Sequence, residues 1–155
     1  MLIPYSKLPS NSKVFIYQSN REIKEKELLI ITQHLDEFSH NWVTHGKPVR
    51  NAFKVFNYFL CFFIDESSYQ TSGCSIDSLV GLIKSIGIRF DIDFFNRNNI
   101  AYLDKVTTKL ITITDFKLFI SPNTIVYNNL VQTKSDFENH WKIPVKESWL
   151  KRYLN

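Results

Sequence analysis

Cys74 stands in the run Ser72-Gly73-Cys74-Ser75-Ile76-Asp77, where helical periodicity begins after a polar loop. A thiol in the first turn of a helix meets unpaired N–H groups and the positive end of the macrodipole, and both favour the thiolate. His45 would act as its base and Asp65 as an orienting carboxylate, provided the loops that carry them share one edge of the fold. The same helix start also suits an anion. Gly73 admits close backbone approach, Ser72, Ser75 and Ser78 offer hydroxyls, and Lys47 or Arg50 supplies a cation. Asp65, Glu66 and Asp77 oppose that reading by charge. In the plainest alternative Cys74 packs a helix start that Ser72 or Ser75 caps. Asn128 and Asn129 form either a turn that satisfies backbone groups or an amide pair for a ligand.

Metal chemistry is not expected. His34 and His40 lie six apart on one helical segment and point in different directions. No C-x-x-C or H-x-x-x-H spacing occurs, and Asp91 and Asp93 lack the glycine and terminal glutamate of a calcium loop. Nor is a bound cofactor expected.

The elements that must position these groups are read from periodicity. Lys13 to Gln18 is a strand, and Ser19 stands three residues before Glu22 at capping-box spacing. Leu28, Ile31, Leu35, Phe38 and Trp42 then mark an amphipathic helix that stops before His45-Gly46-Lys47-Pro48. Ala52–Phe56 and Phe59–Ile64 form a hairpin about Asn57-Tyr58. Ile76, Leu79, Val80, Ile83 and Ile86 mark a second helix with Gly87 just past its end. Ile100 to Leu103 is again a strand. That order predicts an α+β domain with an antiparallel sheet, two main helices and a ferredoxin-like βαββαβ core. Beyond it, Lys109–Ile113 and Thr124–Tyr127 read as strands and Asp115–Ile120 as a short helix. Trp141, Pro144, Trp149 and Tyr153 give the last segment an aromatic character that should pack it back onto the domain.

At 155 residues one domain, 1–155, is expected, with thirteen Phe, seven Tyr and three Trp to fill its core. The net charge of +4 is mild and spread out, so it does not call for nucleic acid. A base-stacking role would need Phe53, Val55, Phe62 and Tyr102 on an open sheet face, yet the usual basic-aromatic consensus is missing. Two cysteines, Cys61 and Cys74, make no disulfide framework. The start lacks a signal-peptide pattern, and the apolar run Phe59–Ile64 is far too short to span a bilayer. A cytoplasmic protein with reduced thiols is the expectation.

Trp42-x-x-His45-Gly46-Lys47-Pro48, Asp65-Glu66-Ser67, Ser72 to Asp77, Asn128 to Lys134 and Trp149-Leu150-x-x-Tyr153 together resemble a family of small uncharacterised bacterial proteins often labelled "ABC transporter ATPase". The label conflicts with the residues. A P-loop requires G-x-x-x-x-G-K-[ST], and here Gly46-Lys47 is followed by Pro48. With four glycines, none suitably spaced, the chain cannot wrap ATP phosphates in that way. The leading expectation is a small ligand-binding or adaptor domain, with an unknown small ligand or protein partner at the Cys74 helix start. A thiol-dependent enzyme with Cys74 as nucleophile is the alternative, and a weak nucleic-acid binder the second alternative.

Overall fold

The computed structural model describes residues 1–154 as an α+β assembly of antiparallel sheets and helices. Strands β1 (Lys13–Gln18), β4 (Arg50–Phe56) and β5 (Phe59–Asp65) form one sheet in the order β1-β5-β4. Helices α1 (Glu25–Asn41) and α2 (Gly73–Phe90) cover one face of it. A second sheet, in the order β7-β6-β8-β9, lies against the other face. Its strands are β6 (Asn99–Asp104), β7 (Thr107–Thr112), β8 (Ile125–Tyr127) and β9 (Lys142–Pro144). The short helices α3 (Ile113–Phe119) and α4 (Lys134–His140) are threaded among these strands.

The strand period of two explains the layering. In β5, Leu60, Phe62 and Ile64 point to the helices, while Phe59, Cys61 and Phe63 point to the second sheet and α4. All six are buried, so β5 reads as one apolar run and not as an alternating strand. Trp141 closes the second face, with its ring centroid 4.5 Å from that of Phe137 and 4.9 Å from that of Phe59. Full burial of each such side chain stabilises by roughly 1.5–3 kcal/mol. A third cluster on the outer side of the second sheet joins Ile100, Phe116, Val126, Val145 and Leu150, with Tyr153 against it. The aromatic end of the chain therefore does pack back onto the domain.

The mixed α+β, antiparallel expectation is met, but the ferredoxin-like layout is followed only in part, since a hairpin, residues 43–48, intervenes between α1 and β4 and the last predicted strand of that core joins another sheet. β1, β5 and β4 take the positions that such a core gives its first three strands, with the middle strand inserted last. The strand at Ile100–Leu103 does not join them. As β6 it pairs along its length with β7, and with β8 at Tyr102↔Val126. Hydrophobic periodicity shows which face a strand buries, not which edge it joins.

Four local readings also change. Ser19 caps no helix: its hydroxyl donates to Arg21 O, and α1 starts after Lys24, whose N–H donates to Glu27 Oε1 at 2.9 Å. The His45–Pro48 segment is not a bare stop. It is a hairpin of β2 (Val43–Thr44) and β3 (Lys47–Pro48), and its turn residues His45 and Gly46 both have positive φ, 48° and 75°. α2 runs past Gly87 to a left-handed cap at Asp91. Gly87 instead permits close approach, since a Cβ there would meet Ile92 O at 2.5 Å. Helix α4, capped by the Thr133 hydroxyl accepting from Asp136 N–H, occupies a stretch with no predicted element. Phe62 lies in the helix-side core with Phe53 and Val55 packed against it, and Tyr102 packs on the third cluster. Among the described residues no helix is long and apolar enough to cross a membrane.

Candidate functional site

The start of α2 is assembled by the β2–β3 hairpin. Ser72 is the N-cap, its hydroxyl accepting from Ser75 N–H at 3.2 Å. Ser72 N–H donates to Thr44 Oγ1 at 2.9 Å, and the buried Ser75 hydroxyl donates to Val43 O at 2.7 Å. The indole of Trp42 donates to Ser75 O at 2.9 Å. The His45 turn and the Cys74 helix start thus belong to one docked unit, as a shared edge requires.

The catalytic set is nevertheless not assembled there. Cys74 and His45 are exposed, and among the described residues no hydrogen bond links either of them to the other or to Asp65. Asp65 is engaged elsewhere, accepting from Arg50 Nε at 3.2 Å and from Ser67 N–H at 2.9 Å. Burial alone would raise its pKa, but the Ser67 and Arg50 donors outweigh that and hold the carboxyl below its usual range. Glu66 is likewise held down against burial, by Lys13 Nζ at 2.7 Å and by the Thr71 N–H. Lys47 lies 5.2 Å over the Tyr69 ring, whose hydroxyl donates to Pro48 O. Gly73 and Asp77 are exposed on the first turns. The hydroxyls and cations proposed for an anion are largely occupied by the fold itself.

A different region is open. In β1 the Ser19 N–H beyond its end donates to Tyr58 O on the β5 side, whereas Val14 N–H donates to Gln132 O on the opposite side. Even-numbered residues therefore turn their backbone groups to the outer edge. Segment 132–134 pairs there antiparallel, with Lys134 N–H donating to Ser12 O at 2.8 Å. The chain then peels away, because Leu130 N–H turns to Asn128 Oδ1. Among the described residues no backbone hydrogen bond reaches the outward groups of Ile16 and Gln18.

Those two residues line a cleft of about 740 Å³. Phe94 to Arg97 form one wall, Tyr127, Asn129 and Leu130 another, and Asn99–Ala101 and Trp149 complete it. An amide relay crosses it: Gln18 Nε2 donates to Asn99 O at 3.2 Å, Asn129 Nδ2 donates to Gln18 Oε1 at 2.9 Å, and Trp141 Nε1 donates to Asn129 Oδ1 at 3.0 Å. Arg97 is exposed and has no ion pair among the described residues. The lining contains no Cys, His, Asp, Glu or Lys. Tyr17 is no base near neutrality, since burial pushes its hydroxyl up to about 12.

Of the predicted ligand residues only Asn129 lies on this cleft. Asn128 serves the turn, its N–H bonding Trp141 O and its side chain accepting from Leu130. Sequence reasoning missed Gln18, Phe95 and Arg97, and took Trp149 first as an aromatic anchor of the last segment, whereas it is partly exposed on this cleft. The signal for them is weak: a polar stretch, Asn96-Arg97-Asn98-Asn99, between two apolar segments. Comparison with protein-family models, curated proteins and solved structures finds no match for this chain.

Proposed function

We propose that this protein is a non-catalytic binding module whose ligand sits in the cleft beside β1. The observation that carries the reading is the lining itself: aromatic rings, an amide relay and one guanidinium, with no nucleophile–base pair among them. Its volume is that of an ordinary ligand site, and a few convergent polar groups among apolar walls are what such a site needs. The β1-β5-β4 sheet contributes one thing, an outer edge on β1 that its own chain only half covers. The helix start at Cys74 is the weaker candidate, because its polar groups are spent on the hairpin.

The test is an amide-resolved NMR titration with a mixed set of small planar acids, small amides and short peptides. Saturable shifts should gather at Gln18, Arg97, Asn129 and the Trp149 indole. Trp149→Ala should weaken that binding on the order of tenfold, as for a truncated aromatic anchor. Saturable shifts gathered instead at Ser72 to Asp77 would sink the cleft and restore the helix start as the site.

A further inference from the structure

We propose that the occupant of this cleft is an extended peptide segment that adds to the outer edge of β1 as an antiparallel strand and carries a carboxylate toward Arg97. The proposal rests on the cleft being the binding site, and it names the ligand class.

Three observations converge on a strand. In a split βαβ unit the two strands run parallel with another strand between them. β1 and β4 obey this rule across α1, with β5 between them. Applied across α2, the same rule would seat the next strand antiparallel on the outer edge of β1. That strand, β6, is committed to the second sheet and meets β1 through the Gln18 side chain, so a strand position stands vacant. Second, segment 132–134 already occupies the near end of that position in antiparallel register and then departs. A guest continuing its line would exchange hydrogen bonds with the N–H and C=O of Ile16 and then of Gln18, spaced at the strand repeat. Unpaired edge groups of this kind are a template for backbone pairing, and a small molecule rarely matches two of them in series.

Third, the surroundings suit alternating side chains. Guest residues would point by turns toward the Phe95 wall and the Leu130–Trp149 wall, and Leu130 and Trp149 are 66% and 36% exposed. The only formal charge on the lining is that of Arg97, so an acidic guest residue is complementary and a basic one is repelled. Pairing with Ile16 to Gln18 needs about four guest residues at ~3.4 Å each.

The experiment titrates isotope-labelled full-length protein with a pool of capped hexapeptides that alternate apolar residues with threonine, each carrying one glutamate. Bound peptide should slow hydrogen exchange at the Ile16 and Gln18 N–H groups on the order of tenfold or more. For the best binder, N-methylation at the positions bonded to β1 should abolish binding, while methylation at the intervening positions should be tolerated. Arg97→Glu, at an exposed site, should weaken glutamate-bearing peptides on the order of tenfold and not lysine-bearing ones. Equal binding of all methylated forms, or shifts without protection at Ile16 and Gln18, would overturn the strand. Cleft shifts from planar fragments such as indole-3-carboxylate, with no peptide bound, would overturn the strand and leave the binding cleft standing. Silence from fragments and peptides alike would overturn both.

Discussion

The start of α2 and the cleft beside β1 are both polar and both edged by loops, but their hydrogen bonds end in different places. At the helix start Ser72, Ser75, Thr44 and Trp42 bond one another and the hairpin carbonyls, and Asp65 and Glu66 are paired with Arg50 and Lys13. In the cleft the amide relay is internal, but the strand edge at Ile16 and Gln18 and the Arg97 guanidinium have no partner among the described residues. Residue type alone does not separate a cap from a site. What separates them is whether the chain itself supplies the partner.

The contrast can be broken most forcefully at Trp42. Trp42→Ala removes a buried ring against Phe38 and Phe62 and the indole hydrogen bond to Ser75 O, so it should cost about 3–5 kcal/mol in denaturant unfolding. If the two regions are independent, residual folded protein should still bind at the cleft. Ser72→Ala deletes the N-cap acceptor and should cost about 1 kcal/mol, again without changing affinity at the cleft. A loss of cleft binding in this mild variant would mean that the helix start takes part in recognition.

Acid sharpens the same difference. The folded pKa values of Asp65 and Glu66 are depressed, so their contribution is full above the unfolded values of about 3.9 and 4.3 and is lost as pH falls through the folded ones. Stability should therefore fall below about pH 4.5. Arg50→Met should cost less than about 1 kcal/mol at neutral pH and flatten part of that acid limb in pH-dependent melts. The cleft lining has no carboxylate, so protonation of the protein should leave its affinity for an uncharged ligand unchanged over the range where the fold persists. The smallest effect belongs to Cys74. Cys74→Ser should change stability by less than about 0.5 kcal/mol, and a thiol reagent should modify exposed Cys74 while sparing Cys61, which is buried and whose pKa burial raises. Rapid alkylation of Cys74 well below its ordinary pKa would revive the thiol-enzyme reading.

Much of the fold was legible because it is written in local period. Leu28 to Trp42 and Ile76 to Ile86 carry helical spacing, and Asn57-Tyr58 breaks the aromatic run into the β4–β5 hairpin where it should. Short capped elements were not. Thr133 and Asp136 mark α4, but its seven residues leave too little periodicity to read. His45 and Gly46 look like a stop because two-residue strands have no period at all. The cleft was least legible, since it depends on β6 leaving the first sheet. Asn129, Arg97 and Gln18 come from three distant segments that only this departure brings together.

The two-faced burial of β5 bears on how the chain must be made. Leu60, Phe62 and Ile64 find their cover in α1 and α2, close by in sequence. Phe59, Cys61 and Phe63 have Tyr5 and Leu8 to hand from the start. Phe137 and Trp141, which close that face, come about 75 residues later, and at roughly 5–20 residues per second this leaves the face only partly covered for some 4–15 s of synthesis. A ribosome stalled before α4 would hold a nascent chain with one finished face and one sticky one, a natural client for a chaperone and a poor candidate for expression as a shortened fragment.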